Sequence, residues 1–259
     1  MSGCQDPYMN MSMDEALLES VSKSHADPVL RIYGWFPHAI SYGRFQDISE
    51  VMEIGAVSAG RMPFVRRMTG GSIVYHGTDI SYSVCCRQED LVHGDNVKGS
   101  FMELGSFLKA AYQNLGIDGH YSVGGDDKYT KKTTLCMAKK EEHDLLANGL
   151  KIGGSSQRRR RSCILQHGFI ILDGPSHCAS YRCPGLSQIM GYEIDFFRMQ
   201  DVLIQSFKNT YNVKLLSAGP TEYEMKTADM LIAKKYSTYE WNYQGKRNAG
   251  NIKEASLAK

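Results

Sequence analysis

Three kinds of side chain in this sequence sit where they could do chemistry: an amine at Lys151, paired guanidiniums at Arg66 and Arg67, and an imidazole at His76. Lys151 follows Asn148-Gly149 and precedes Ile152-Gly153-Gly154-Ser155-Ser156-Gln157. An Asn-Gly pair between apolar residues favours a type I′ turn, because both central positions need positive φ, so Lys151 is predicted to begin a strand. Alternation of period two then puts Lys151 and Gly153 on one face and Leu150 and Ile152 on the other. The glycines let a ligand or another backbone approach the amine. A charge among apolar residues and glycines suits a binding site, and it also suits a lysine snorkelling from a strand edge. The run from Phe64 to Val84 gathers Arg66, Arg67, the Gly70-Gly71 break and His76 on neighbouring strands. Backbone N–H groups exposed at that break could hold a phosphate or a carbonyl oxygen, with an arginine adding a forked charge. Taken alone, His76 fits a hydrogen-bonded structural histidine.

The elements that must position these groups are read from periodicity and punctuation. Ser12-x-x-Glu15 reads as a capping box opening a helix whose apolar face is Met13, Ala16, Leu17 and Val21. Leu30 to Trp35 and Ala39 to Gly43 read as the two strands of a hairpin around Phe36-Pro37-His38, and Glu50 to Ala59 as a helix stopped at Gly60. Phe101, Leu104, Leu108, Ala111 and Leu115 recur at helical spacing ahead of Gly116. Asp144 to Ala147 leads into the Asn-Gly turn, and Cys163 to Leu172 reads as a later apolar strand. Arg158 to Arg161 would be costly within a sheet, so they are predicted on a solvated loop, with docking of an acidic partner as the functional alternative. Met199 to Lys208 and Thr221 to Lys235 read as helices, the second opened by a Thr221-x-x-Glu224 box, with a short strand at Val213 to Leu216 between them. The pattern predicts one α+β domain over residues 1–243 and a polar tail over 244–259.

Composition narrows the function classes. The 259 residues carry 30 Lys+Arg against 28 Asp+Glu, a net charge of +2, so no whole-surface field favours nucleic acid or a membrane. No apolar run reaches membrane-spanning length and no secretion signal is evident, so a cytoplasmic setting is expected. The cysteines, at 4, 85, 86, 136, 163, 178 and 183, are odd in number and lack framework spacing, which argues for reduced thiols. His167, His177, Cys178 and Cys183 lack the paired spacing of a zinc site, and no metal is expected.

Taken together, Arg66-Arg67-x-Thr69-Gly70-Gly71-x-x-Val74-x-His76, the segment from Lys151 to Gln157, and Gln166-His167-Gly168 resemble the lipoate-protein ligase and octanoyltransferase family, which acylates a lysine of lipoyl domains. Met13 to Glu19 and Tyr236 to Asn242 support the likeness, which runs over nearly the whole chain. The resemblance implies the biotin/lipoate protein ligase catalytic domain, class II synthetase-like, with a mixed, mainly antiparallel sheet flanked by helices. It implies a catalytic role for Lys151 and substrate-binding roles for Arg66, Arg67, Gly70, Gly71, Ser72, His76, Gly154, Ser155 and His167. The sequence departs from the ligase pattern at Ser72, usually a third glycine, at Gly77-Thr78-Asp79-Ile80, usually an Asp-x-Gly-Asn segment, and at Ser156, usually alanine. The first two point away from an ATP site.

Cys136, fifteen residues before Lys151, has a spacing similar to octanoyltransferases that work through a cysteine thioester, although a lone cysteine also suits a buried position. Cys183, thirty-two residues after Lys151, is the rival nucleophile. The resemblance then implies transfer of an octanoyl or lipoyl group from an acyl carrier protein, or another acylated donor, through Cys136 to a lipoyl domain. That acceptor would belong to a 2-oxoacid dehydrogenase or to the glycine cleavage H protein, and no cofactor would be needed. Lys151 would lower the thiol pKa and stabilise the oxyanion. The alternative chemistry is ATP-dependent ligation with Mg²⁺ through lipoyl-adenylate. The non-enzymatic alternative is a binding module for a lipoyl domain or an acyl carrier, with a lapsed site.

Overall fold

The computed structural model describes residues 3–24, 26–53, 57, 60–122, 144–174 and 184–244. Its main sheet has five strands in the order β1-β2-β6-β11-β10. These are β1 (Cys4–Gln5), β2 (Val29–Trp35), β6 (Asp79–Arg87), β10 (Gly153–Arg160) and β11 (Cys163–Ile171). Only β1 and β2 run parallel; the other neighbours are antiparallel. A second sheet sets β3 (Ala39–Tyr42) between β4 (Phe64–Arg66), which runs parallel to it, and β5 (Val74–His76), which runs antiparallel. A third, antiparallel sheet joins β7 (Gly119–Tyr121), β8 (Leu145–Ala147) and β9 (Leu150–Lys151). The mixed, mainly antiparallel α+β architecture expected from the sequence is therefore present.

Helices cover both faces of the main sheet. On one face, α3 (Val97–Asn114) turns Leu104, Phe107, Leu108 and Ala111 onto Ile80, Tyr82, Val84, Ile164 and Ile170, and α5 (Phe196–Tyr211) adds Met199 and Leu203. Burying a side chain of this size contributes roughly 1.5–3 kcal/mol relative to leaving it exposed, so this layer anchors the sheet. Gly116, at φ +74°, follows α3 in the left-handed conformation expected of a helix-ending glycine. On the opposite face, α1 (Pro7–Ser24) and α6 (Glu222–Leu231) enclose Leu17, Leu18, Cys85, Cys163 and Leu165. Two short helices, α2 (Ile48–Met52) and α4 (Leu186–Met190), complete the regular elements. Thr221 and Glu224 form the predicted capping box of α6, after which the chain continues in wider turns at Ile232–Tyr236 and Glu240–Gln244.

Four local expectations are corrected. Helix α1 starts at Pro7, not after Ser12: the Asp6 carboxylate accepts from the N–H groups of Tyr8 and Met9, a cap followed by proline in the first turn, while the Ser12 hydroxyl bonds back to the Met9 carbonyl. The strands β2 and β3 are not a hairpin. Both edges of β2 are taken, by β1 and β6, and all four residues of β3 are buried between β4 and β5. The segment from Val213 to Leu216 forms no strand; Leu216 is 82% exposed and has no sheet edge to join. Arg158, Arg159 and Arg160 lie within β10, and only Arg161 occupies the turn. Because β10 is an edge strand, its charged end stays partly solvated, and Arg159 donates to the Ser100 hydroxyl and the Gly94 carbonyl.

Candidate active site

The Asn148-Gly149 turn forms as predicted, with φ of 47° and 77°, and delivers Lys151 to the last position of β9. The chain leaves the small sheet there and enters the main sheet at Gly153, so strict alternation does not carry across Ile152. Leu150 is 44% exposed while Ile152 is fully buried. Lys151 thus stands at the junction of two sheets. Its side chain is buried, and its ammonium lies 2.6 Å from the Asp144 carboxylate.

Asp144 also lines a pocket between α3 and the β10–β11 ladder. Its walls are largely apolar or glycine, with Phe101, Gly105, Leu108 and Phe169 prominent. The polar groups beside it are satisfied internally. The Tyr82 and Ser155 hydroxyls bond to each other at 2.7 Å, and Gln166 donates to the Phe101 carbonyl while accepting from Gln157. A largely apolar pocket bordered by Asp144, the carboxylate that holds the Lys151 ammonium, suits an alkyl chain ending in a carbonyl. Gly154 and Ser155, expected among the binding residues, line this pocket.

The Gly70-Gly71 loop is built from the other sheet. Gly71 has φ +98°, and a Cβ there would stand 3.0 Å from the Arg67 guanidinium and 3.1 Å from the Ser156 hydroxyl. Across from it, a Cβ on Gly43 would fall 1.8 Å from the Gly71 carbonyl oxygen, so backbone meets backbone and only glycine fits. Arg67 wraps the loop, donating to the Gly70 and Ser72 carbonyls and to the Ser41 hydroxyl. Ser156, where the family usually has alanine, donates to the Gly70 carbonyl at 3.1 Å and ties the loop to β10.

Both histidines lie beneath this loop and brace it. His76 bonds Asp79 through Nδ1 at 2.8 Å and Ser41 through Nε2 at 2.7 Å, stacked on Trp35 at 3.9 Å between ring centroids. Burial pushes the His76 pKa down and outweighs the Asp79 charge, which fits a neutral ring donating to the carboxylate and accepting from Ser41. His167 bonds Asp14 through Nδ1 at 2.9 Å and the Thr69 hydroxyl through Nε2 at 2.7 Å. Asp14 also accepts from Arg31, Tyr33 and Ser83. Burial raises its pKa, but the His167 hydrogen bond and the Arg31 charge prevail and hold the carboxyl below the usual range. Each ring has both nitrogens hydrogen-bonded within the protein, His167 to Thr69 ahead of the glycine loop and His76 to Ser41, which also accepts from Arg67. Arg66 faces away: its guanidinium donates to the carbonyls of Arg44, Gln46, Trp241 and Asn242.

Asp14, Ser41 and Asp79 were not singled out from sequence. The available signal was an acid at position 14 on the same helix face as Leu17, Leu18 and Val21. Cys136 and Cys183, together with His177 and Cys178, lie outside the described residues. No group of three or more metal-binding side chains occurs among the described residues.

Residues 6–181 match the family model of the lipoyl protein ligase A/B catalytic domain. The chain belongs to this family. Relatives of this lipoyl ligase-type domain include the octanoyltransferase LipM of Symbiobacterium thermophilum, 31% identical over 90% of this chain and 93% of the relative. The octanoyltransferase LipM of Moorella thermoacetica is 29% identical over 93% of this chain and 95% of the relative. In fold, the chain resembles a bi-partite lipoate protein ligase from Thermoplasma acidophilum, with a TM-score of 0.70 at 21% identity, covering 93% of this chain and 94% of the other. The family resemblance and the catalytic fold drawn from the sequence are thus borne out. Among the described residues, no helix is long and apolar enough to cross a membrane.

Proposed function

We propose that this protein is an octanoyltransferase, moving an octanoyl group from the pantetheine thioester of an acyl carrier protein, through Cys136, to the ε-amine of a lipoyl-domain lysine. The observation that carries this reading is the buried Lys151 ammonium, held by Asp144, a residue that itself lines a largely apolar pocket. The likeness to octanoyltransferases over nine-tenths or more of the chain supports the same chemistry.

In the first step the Cys136 thiolate attacks the thioester carbonyl, and Lys151 donates a hydrogen bond to the oxyanion. The tetrahedral intermediate collapses, expelling the pantetheine thiolate, which takes a proton. In the second, the neutral lysine amine of the lipoyl domain attacks the acyl-cysteine, an amide forms, the Cys136 thiolate leaves, and the amine proton passes to solvent. Dividing the transfer this way replaces one difficult step with two easier ones. Thioester exchange is nearly energy-neutral and amide formation from a thioester is downhill, so no nucleotide is consumed. The Gly70-Gly71 loop, fixed by Arg67 and Ser156, would present its backbone to the bound acyl group.

Incubation with octanoyl carrier protein, without ATP, should add an octanoyl mass to Cys136 and then transfer it to an apo lipoyl domain. An adduct on Cys183 in place of Cys136 would reassign the nucleophile. Strict dependence on ATP and free lipoate would replace this reading with adenylate-forming ligation. Tight binding of acyl carrier with no turnover under either regime would make the protein a binding module.

A further inference from the structure

Successive residues of β10 serve opposite faces of the main sheet. Ser155 borders the pocket on the α3 side, whereas Ser156 reaches the Gly70 carbonyl on the other. Arg158 shares the face of Ser156. Its half-buried guanidinium lies within electrostatic range of Arg44, Glu15 and Arg160, and it makes no hydrogen bond or ion pair among the described residues. The nearby acids are already committed. Glu15 accepts from Lys235 and Tyr236, and Glu19 pairs with Lys23 and Arg160. Arg44 lies on the same side of the glycine loop, because its N–H donates to the Thr69 carbonyl at 2.8 Å and its guanidinium lies 5.8 Å from the Trp241 ring centre. Lys235 stands over the same indole at 4.1 Å. Three cations therefore gather beside the loop around one carboxylate that is already bonded.

We infer that Arg44 and Arg158 form an anion site for the phosphodiester of the donor's pantetheine arm, a reading that rests on the proposed transferase function. Two guanidiniums can present several N–H donors to one phosphate, an arrangement suited to charge-assisted, forked recognition. The pantetheine source follows from the proposed donor, whose arm is joined to its carrier through a phosphodiester. Burial, followed by the charge of Arg44, disfavours the Arg158 cation, and an anion between the two would offset the charge repulsion. A lipoyl-domain lysine carries no phosphate, so the site would read the donor and not the acceptor.

The test measures binding to the full chain, independent of turnover. Titration of 4′-phosphopantetheine, pantetheine and AMP into the unmodified protein, Arg158→Gln and Arg44→Gln/Arg158→Gln separates the outcomes, with thermal melting to check that each variant folds. The unmodified protein should bind phosphopantetheine about tenfold or more tightly than pantetheine, the scale of a charge-assisted hydrogen bond, and both variants should lose most of that preference. Equal binding of the two ligands by the unmodified protein, or a preference that survives Arg158→Gln, would overturn the site. Loss of AMP binding in the variants with phosphopantetheine binding unchanged would assign the anion to a nucleotide and overturn the pantetheine source. A phosphate preference that appears as expected, in a protein unable to use octanoyl carrier protein as donor, would leave the site standing and remove the transferase reading.

Discussion

Asp14→Asn tests whether a buried carboxylate on the opposite face of the main sheet from the pocket sustains the glycine loop. The substitution keeps the shape and removes the charge. Asp14 is 1% exposed and accepts hydrogen bonds from Arg31, Tyr33, Ser83 and His167. Arg31, 7% exposed, would lose the charge of its carboxylate partner at 2.8 Å. Removing one partner of a buried ion pair typically costs about 3–5 kcal/mol, against a total stability of about 5–15 kcal/mol for a domain, so the loss should be a large fraction of the whole. Urea unfolding at pH 7 should show a lower midpoint with little change in slope. The pH dependence has a defined sign. The Asp14 pKa is lowered in the folded state, so its stabilisation is present above the unfolded value of about 3.9 and is lost as pH falls through the folded value. The gap between the unmodified protein and Asp14→Asn should therefore narrow below about pH 4. A gap under about 1 kcal/mol at pH 7, or one that widens in acid, would refute the assignment of this network as a charged support.

Three further outcomes follow from the geometry. Lys151→Met, which keeps most of the side-chain length and removes the donors beside Asp144, should lower kcat about a hundredfold or more with a modest effect on KM, measured by transfer to an apo lipoyl domain; an unchanged kcat would remove Lys151 from oxyanion stabilisation. Gly71→Ala, at φ +98° and facing Arg67 and Ser156, should cost about 1–3 kcal/mol by urea unfolding and reduce transfer; full stability would show that the loop adapts freely. Gly105→Val should shift acyl preference toward chains shorter than octanoyl, because a Cβ at that position already stands 3.0 Å from the Tyr121 hydroxyl across the pocket; an unchanged chain-length profile would move the acyl chain elsewhere.

The parts of the site that were legible in the sequence are those made by local rules. The Asn148-Gly149 turn, the glycine after α3 and the Thr221 capping box each depend on a few adjacent residues, and all three appear as read. What sequence could not assign is which residues the histidines lean on, since His167 meets Asp14 across 153 positions of chain and no local signal links them. The start of α1 was misplaced because two patterns compete within ten residues. Asp6-Pro7 is the effective cap, while Ser12 and Glu15 imitate one in mid-helix, where Glu15 instead reaches Lys235 and Tyr236. The arginine run was misread for an energetic reason. A charged residue is expensive inside a sheet, but β10 is an edge strand whose side chains find neighbouring oxygen acceptors or water.

Two of the four carbonyls that receive Arg66 belong to Trp241 and Asn242, and the Asn242 side chain also accepts the backbone N–H of Arg66. The wide turns after α6 therefore act as a keystone for the strand that feeds the glycine loop. Shortening the protein ahead of Tyr236 would strip acceptors from a 2%-exposed guanidinium and leave the loop's foundation unpinned, even though nothing would have been removed from the pocket itself.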